Sequence, residues 1–151
     1  MAARIPLWVK SFRNAVKKLK SLAGRKDWYD LNQPNLRELK NTGRGNCVAW
    51  SELMAEIALI ENLVTIIVTI ADVDEDKSGE MRHQICVIID KDNTVWYQGN
   101  IWLHRIKKIK GLLTKKKVDT AIKIIAKKEG KMVQYKNGTK VICAIKLVNG
   151  Y

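Results

Sequence analysis

Cysteine and histidine are scarce in this chain: three cysteines and two histidines among 151 residues. An odd number of cysteines at long, irregular intervals argues against a disulfide framework and suits a reducing compartment, the cytosol by default. Neither Cys-x-x-Cys nor His-x-x-x-His spacing occurs, and His83 and Cys86, three apart on an expected strand, face opposite sides, so no metal site is expected. A glycine-rich phosphate loop is missing as well, no internal repeat is present, and no cofactor is expected. Long apolar runs are equally absent. The N-terminus carries Arg4, Lys10 and Arg13 without the apolar stretch and small-residue cleavage site of an export signal, and Ala55 to Ala71 is broken by Glu56, Glu61 and Asn62. Neither an export signal nor a membrane span is therefore predicted.

Acidic residues are the other shortage. Twenty-eight Lys and Arg against fifteen Asp and Glu give a formal charge of +13, enough to attract nucleic acid, an acidic lipid surface or an acidic protein partner. The imbalance is uneven along the chain: Arg105 to Lys131 holds eleven Lys and Arg against Asp119 and Glu129, whereas Glu52 to Glu80 holds eight acids against Lys77. A polarised surface follows, with the later basic segment open to phosphate contacts. Trp96, Tyr97 and Trp102 nearby suit either base stacking or a sheet core. His104, beside the same basic run, reads as a surface residue.

What is present fits one α+β domain over residues 1–151, in which a basic helix (1–24) precedes a central unit (43–102) and a second basic helix with a hairpin (103–151). From Ile5 to Leu22, Trp8, Phe12, Ala15, Val16, Leu19 and Leu22 recur at helical spacing among lysines and arginines. Their stripe either packs on the domain or docks on a membrane surface or partner. A short helix through Leu36 and Leu39 follows Pro34, and a turn at Asn41 to Gly45 leads into a helix through Trp50, Met54, Ile57 and Ala58, with Asn46 as its N-cap. Strands are expected at Leu63 to Ala71, Arg82 to Ile89 and Thr94 to Trp102, antiparallel because their connections are short. Val118, Ala121, Ile122 and Ile125 stripe a further helix ending near Gly130, and Met132 to Tyr135 with Lys140 to Val148 flank the hairpin signal Asn137-Gly138.

Cys47 stands where chemistry is best supported. In Gly45-Asn46-Cys47 it opens a helix whose free N–H groups and positive dipole end favour a thiolate, and the strand-borne His83 could complete its activation. Cys86 and Cys143, by contrast, read as core residues.

A helix presenting cysteine, then antiparallel strands presenting histidine and an amide or carboxylate, resembles the transglutaminase-like and papain-like cysteine peptidase superfamily. The stretches that carry the resemblance are Gly45-Asn46-Cys47, Arg82-His83-Gln84 and Trp96-Tyr97-Gln98-Gly99-Asn100, within residues 43 to 102. It implies Cys47 as nucleophile, His83 as general base and later acid, and Asn100 as the residue orienting the imidazole. Asp90 and Asp92, near the turn between the two strands, stand in reserve, because the third member of the transglutaminase pattern is usually Asp and Asn100 departs from it. The backbone N–H of Cys47 would form half of an oxyanion hole, with Asn41 or Gln33 as upstream donors.

The resulting expectation is thiol acyl chemistry on an amide or ester of a protein or peptide substrate, in a compact protein of the kind that suits a virus or mobile element. Two rivals stay open: a basic module binding nucleic acid or an acidic partner, and a catalytically silent scaffold of the same fold.

Overall fold

The computed structural model describes residues 4–72, 82–132 and 141–150. Helix α1 (Leu7–Ala23) buries Trp8, Val9, Phe12, Val16, Leu19 and Ala23, while Lys10, Arg13, Lys17, Lys18 and Lys20 remain outside. Its stripe thus docks on the chain's own core. Helix α2 (Leu36–Thr42) starts at Asn35, whose side chain accepts the N–H groups of Arg37 and Glu38, and stops at Gly43 in a left-handed conformation, φ 76°. A Cβ at Gly43 would overlap the Leu19 carbonyl oxygen, so only glycine lets the end of α2 press against α1. Helix α3 (Cys47–Ile60) is apolar on several sides and lies in the centre of this layer.

Five strands, β1 (Val64–Asp72), β2 (Arg82–Ile89), β3 (Thr94–Gly99), β4 (Trp102–Lys108) and β5 (Val141–Asn149), form one antiparallel sheet in the order β4-β3-β2-β1-β5. Helix α4 (Lys115–Met132) covers the face opposite α1 to α3. The period-two rule of a strand separates two cores. Cys86, Ile88 and Trp96 join α1, α2 and α3, whereas Ile85, Val87, Ile89, Val95 and Tyr97 meet Val118, Ala121, Ile122, Ile125 and Ala126 of α4. Because both faces are covered, β2 is buried from Ile85 to Ile89 without interruption. The expected α+β class, with the cysteine-bearing helix packed on an antiparallel sheet, is what the structure has.

Three local expectations change. The run Thr94 to Trp102 is two strands, because Asn100 adopts φ 50° and, with Ile101, turns β3 into β4 between the paired Gly99 and Trp102. Asparagine tolerates that left-handed conformation better than most residues, which makes it a turn former. Second, α4 runs through Gly130 to Met132, since the flanking helix outweighs the modest penalty of one glycine. Third, Met132 closes α4 instead of starting a strand; Asn137-Gly138 lies outside the described residues, and β5 extends the sheet beside β1. The acidic loop after Asp72 also lies outside them.

Candidate active site

Cys47 is positioned by backbone lacing just upstream. The Gly45 N–H donates to the Trp28 carbonyl (3.1 Å), Asp30 N–H donates to the Gly45 carbonyl (3.1 Å), and Asn46 N–H donates to the Gln33 carbonyl (2.8 Å). A Cβ at Gly45 would lie 2.8 Å from the Ala49 Cβ, so a bulkier residue would push the approach off the helix. Asn46 then caps α3, its Oδ1 accepting the N–H groups of Val48 (3.0 Å) and Ala49 (3.4 Å). Cys47 is left as the first residue of α3, and among the described residues its own N–H has no acceptor.

His83 comes to the sulfur because β3 ends early. Strand β3 pairs with β2 from Ile89 back to Cys86, and there the ladder stops at the Asn100 turn. Backbone N–H groups two residues apart in a strand point the same way. The Gln84 N–H, which would have continued the ladder, therefore finds a substitute: it donates to the Cys47 Sγ at 3.4 Å. The Gln84 side chain pins the same junction, its Nε2 donating to Ser51 Oγ (2.7 Å), which donates to the Val48 carbonyl (3.0 Å).

The imidazole bridges the two helical layers across the end of β3. Its Nε2 lies 2.9 Å from Glu129 Oε1 of α4, which leaves Nδ1 as its other polar atom, and the ring beside Cys47 favours ionisation of the thiol. Both partners of the His83–Glu129 pair are almost wholly buried, at 8% and 4% side-chain exposure, so water screens their attraction weakly. Glu129 lies directly over Gly99, where any Cβ would overlap its Oε1.

Electrostatics follows from this packing. Burial alone would raise the Cys47 thiol, yet the hydrogen bonds from His83 and the Gln84 N–H, the imidazolium charge and the Val48 N–H outweigh it, and the thiol lies below its ordinary value. Burial would likewise lower His83, but hydrogen bonds and charge from Cys47 and Glu129 push it up to about 9. Both shifts run in the direction that favours a thiolate–imidazolium pair. Cys86, by contrast, has its thiol pushed up by burial and belongs to the α3-side core.

Of the residues anticipated from sequence, Cys47 and His83 meet and Asn100 does not join them. Asn100 Oδ1 is buried without a hydrogen-bond partner, while the Asn100 carbonyl accepts from Gln98 Nε2; the group on the ring is Glu129. The physical reason is the turn: at φ 50° Asn100 serves the reversal between β3 and β4. Asp90 and Asp92 hold the β2–β3 turn, their carboxylates accepting from Lys91 and Thr94, at the other end of β2 from His83 and about 20 Å away.

Asn41 is exposed on α2, whereas Gln33 is tied to the approach by its carbonyl and spends its Oε1 on the Asn35 N–H. His104 is half-buried, stacking on Tyr97 with ring centroids 4.7 Å apart. Trp96 and Tyr97 are buried and unavailable to bases, and Trp102 packs edge-on against Trp28.

Two residues escaped the sequence reading. Glu129 continues the stripe Val118, Ala121, Ile122, Ile125 by one further step of four, so helical periodicity assigns a carboxylate to a buried position that needs a cation. That was the legible clue. Tyr29 sits in a stretch without periodicity, paired to Gly45; burial raises its phenol, and the negative charge of Cys47 raises it further. Its phenol is thereby held neutral. No family model, curated protein or solved structure matches this chain.

Proposed function

We propose that the protein is a thiol-dependent acyl-transfer enzyme, a hydrolase or acyltransferase acting on an amide or ester of a protein or peptide, with Cys47, His83 and Glu129 as its working residues. The observation that carries this reading is the buried junction: His83 holds Glu129 at 2.9 Å through Nε2, and the neighbouring Gln84 N–H donates at 3.4 Å to the sulfur at the start of α3, whose ionisation the ring favours. The resemblance to transglutaminase-like peptidases supports it in the order cysteine, then histidine. The third member differs, coming from a helix on the far face of the sheet and not from the neighbouring strand.

The chemistry runs as follows. The Cys47 thiolate attacks the carbonyl carbon, forming a C–S bond while the carbonyl electron pair moves to oxygen. The Cys47 N–H at the head of α3, without an acceptor among the described residues, is the donor offered to such an oxyanion. Collapse expels the amine or alkoxide, which takes the proton from the His83 imidazolium and leaves a thioester. Water or an acceptor amine, deprotonated by His83, then breaks the C–S bond and restores the pair. Glu129 acts as a positioning residue that keeps the ring oriented and charged. A groove of about 440 Å³ along α3, lined by Leu36, Glu52, Ala55, Leu59, Ile67 and Gln84, reaches the residue whose N–H bonds the sulfur and gives a substrate chain a place to lie.

The test is iodoacetamide alkylation across pH, with the modified residue located by mass spectrometry, on wild type and His83→Ala. Cys47 should label well below the ordinary thiol range in wild type and lose that reactivity in the variant, where burial is left unopposed. Turnover of an activated ester should rise with ionisation of Cys47 and fall as His83 loses its proton near pH 9. An unreactive Cys47 in correctly folded protein would turn the reading toward a silent scaffold.

A further inference from the structure

A basic hollow lies far from Cys47, at the start of α4. It has a volume of about 610 Å³ and is walled by Lys107, Lys108, Lys110, Lys116 and Lys117, with Ile109 and Thr120 completing the lining. No carboxylate lines it. Those nearby are engaged: Asp119 holds Lys115 at 3.0 Å, and Asp92 accepts the Thr94 N–H at 3.0 Å while its charge is shared with Lys108. Of the two acids in the basic segment Arg105 to Lys131, the other, Glu129, is consumed inside the molecule by His83.

One wall is already rigid. Lys117 Nζ donates to the carbonyls of Lys110 (2.8 Å) and Leu112 (3.2 Å), which fixes an ammonium in place at the first turn of α4. The start of that helix adds its positive dipole end, with Thr114 Oγ1 accepting the Lys117 N–H. Lysines on an edge strand commonly block strand pairing, which accounts for Lys107 and Lys108 on β4. It does not account for Lys110, Lys116 and Lys117, which lie off the strand and close the concavity. Five like charges around one space repel, and an anion is what relieves them.

We propose that this hollow binds a compact oligophosphate of the pyrophosphate or triphosphate class, held by Lys107, Lys108, Lys110 and Lys116 around the fixed Lys117. The shape decides against a nucleic acid strand. A phosphodiester backbone needs a stripe of cations tracking its length, whereas these lysines enclose a single volume of small-ligand size. The site sits at the opposite end of α4 from Glu129, about 18 Å along the helix axis from Lys117.

The experiment is independent of thiol chemistry. Melting temperature and calorimetric affinity are measured with tripolyphosphate, and with sodium chloride at matched ionic strength, on wild type, Cys47→Ala and Lys107→Gln/Lys116→Gln. Both altered lysines are exposed and hold no side-chain partner, so the double variant is expected to fold. Tripolyphosphate should raise the melting temperature of wild type and Cys47→Ala beyond the salt control, and the lysine variant should bind about tenfold or more weakly. Equal stabilisation of all three proteins, or none beyond the salt control, overturns the proposal. So does tight binding of a single-stranded oligonucleotide that tripolyphosphate fails to displace, which would reassign the lysines to a nucleic acid. Failure here leaves Cys47 alkylation untouched, and an unreactive Cys47 leaves this site standing.

Discussion

Replacing Glu129 with glutamine keeps the shape of the side chain and removes its charge. His83 has its proton held up to about 9, so at pH 7 the charged ring is favoured over the neutral one by two pH units, or about 2.7 kcal/mol. Burial works against that charge, so Cys47 and Glu129 together hold the proton. With the carboxylate gone the buried ring must stay charged at a penalty or shed its proton, and we expect a loss of about 1–3 kcal/mol at pH 7.

The sign with pH is fixed by the direction of the shift. A group whose value is raised on folding contributes stability that is complete below its unfolded value of 6.5 and is lost as pH rises through about 9. The deficit of Glu129→Gln should therefore be larger at pH 6 than at pH 9.5. Thermal melts at both pH values measure it, at roughly 2–4 °C per kcal/mol for a chain of this size. Alkylation of Cys47 should move to higher pH in parallel, because the imidazolium that lowers the thiol is less populated. An equal melting loss at both pH values, or an alkylation profile superimposable on wild type, would refute the reasoning.

Three further substitutions probe the same junction. Gly99→Ala should push Glu129 off the ring at a stability loss of about 1–3 kcal/mol, and its alkylation profile should shift in the same direction as that of Glu129→Gln. Asn100→Gly keeps the turn at positive φ, so denaturant melts should change by less than about 1 kcal/mol and Cys47 reactivity should stay at the wild-type level; a shifted alkylation profile would return Asn100 to the relay. Asn46→Ala removes the cap from Val48 and Ala49, with an expected destabilisation of about 1 kcal/mol in urea and slower alkylation as the head of α3 frays.

Much of this architecture is written in local pattern. Strand β2 runs over Arg82–Ile89 as its β-branched composition implies, and Asn46 caps α3 as its residue type and position imply. The meeting of Cys47 with His83 was legible too, since a helix start and a strand start are both local features. The carboxylate was not, because its place is decided by how far α4 runs and where β3 stops, and both are tertiary outcomes. Gly130 looks like a helix end but lies inside one, and Gly99-Asn100 looks like strand but ends it. His104 is only partly exposed for a related reason: β4 places its ring on Tyr97.

Because the trio is contributed by α3, β2 and α4, the stretch 43–102 that carries the family-like motifs is less than a working unit. Cut free of the C-terminal third, it would keep the sulfur and the ring but expose one whole face of its sheet and lose the only acid that touches the histidine among the described residues. Removal or displacement of one distal helix would thus weaken the charge on the ring, and through it the activation of the thiol, without touching the sulfur. If the proposed chemistry holds, any event that loosens that helix, from proteolytic nicking to capture by a partner, would turn it down.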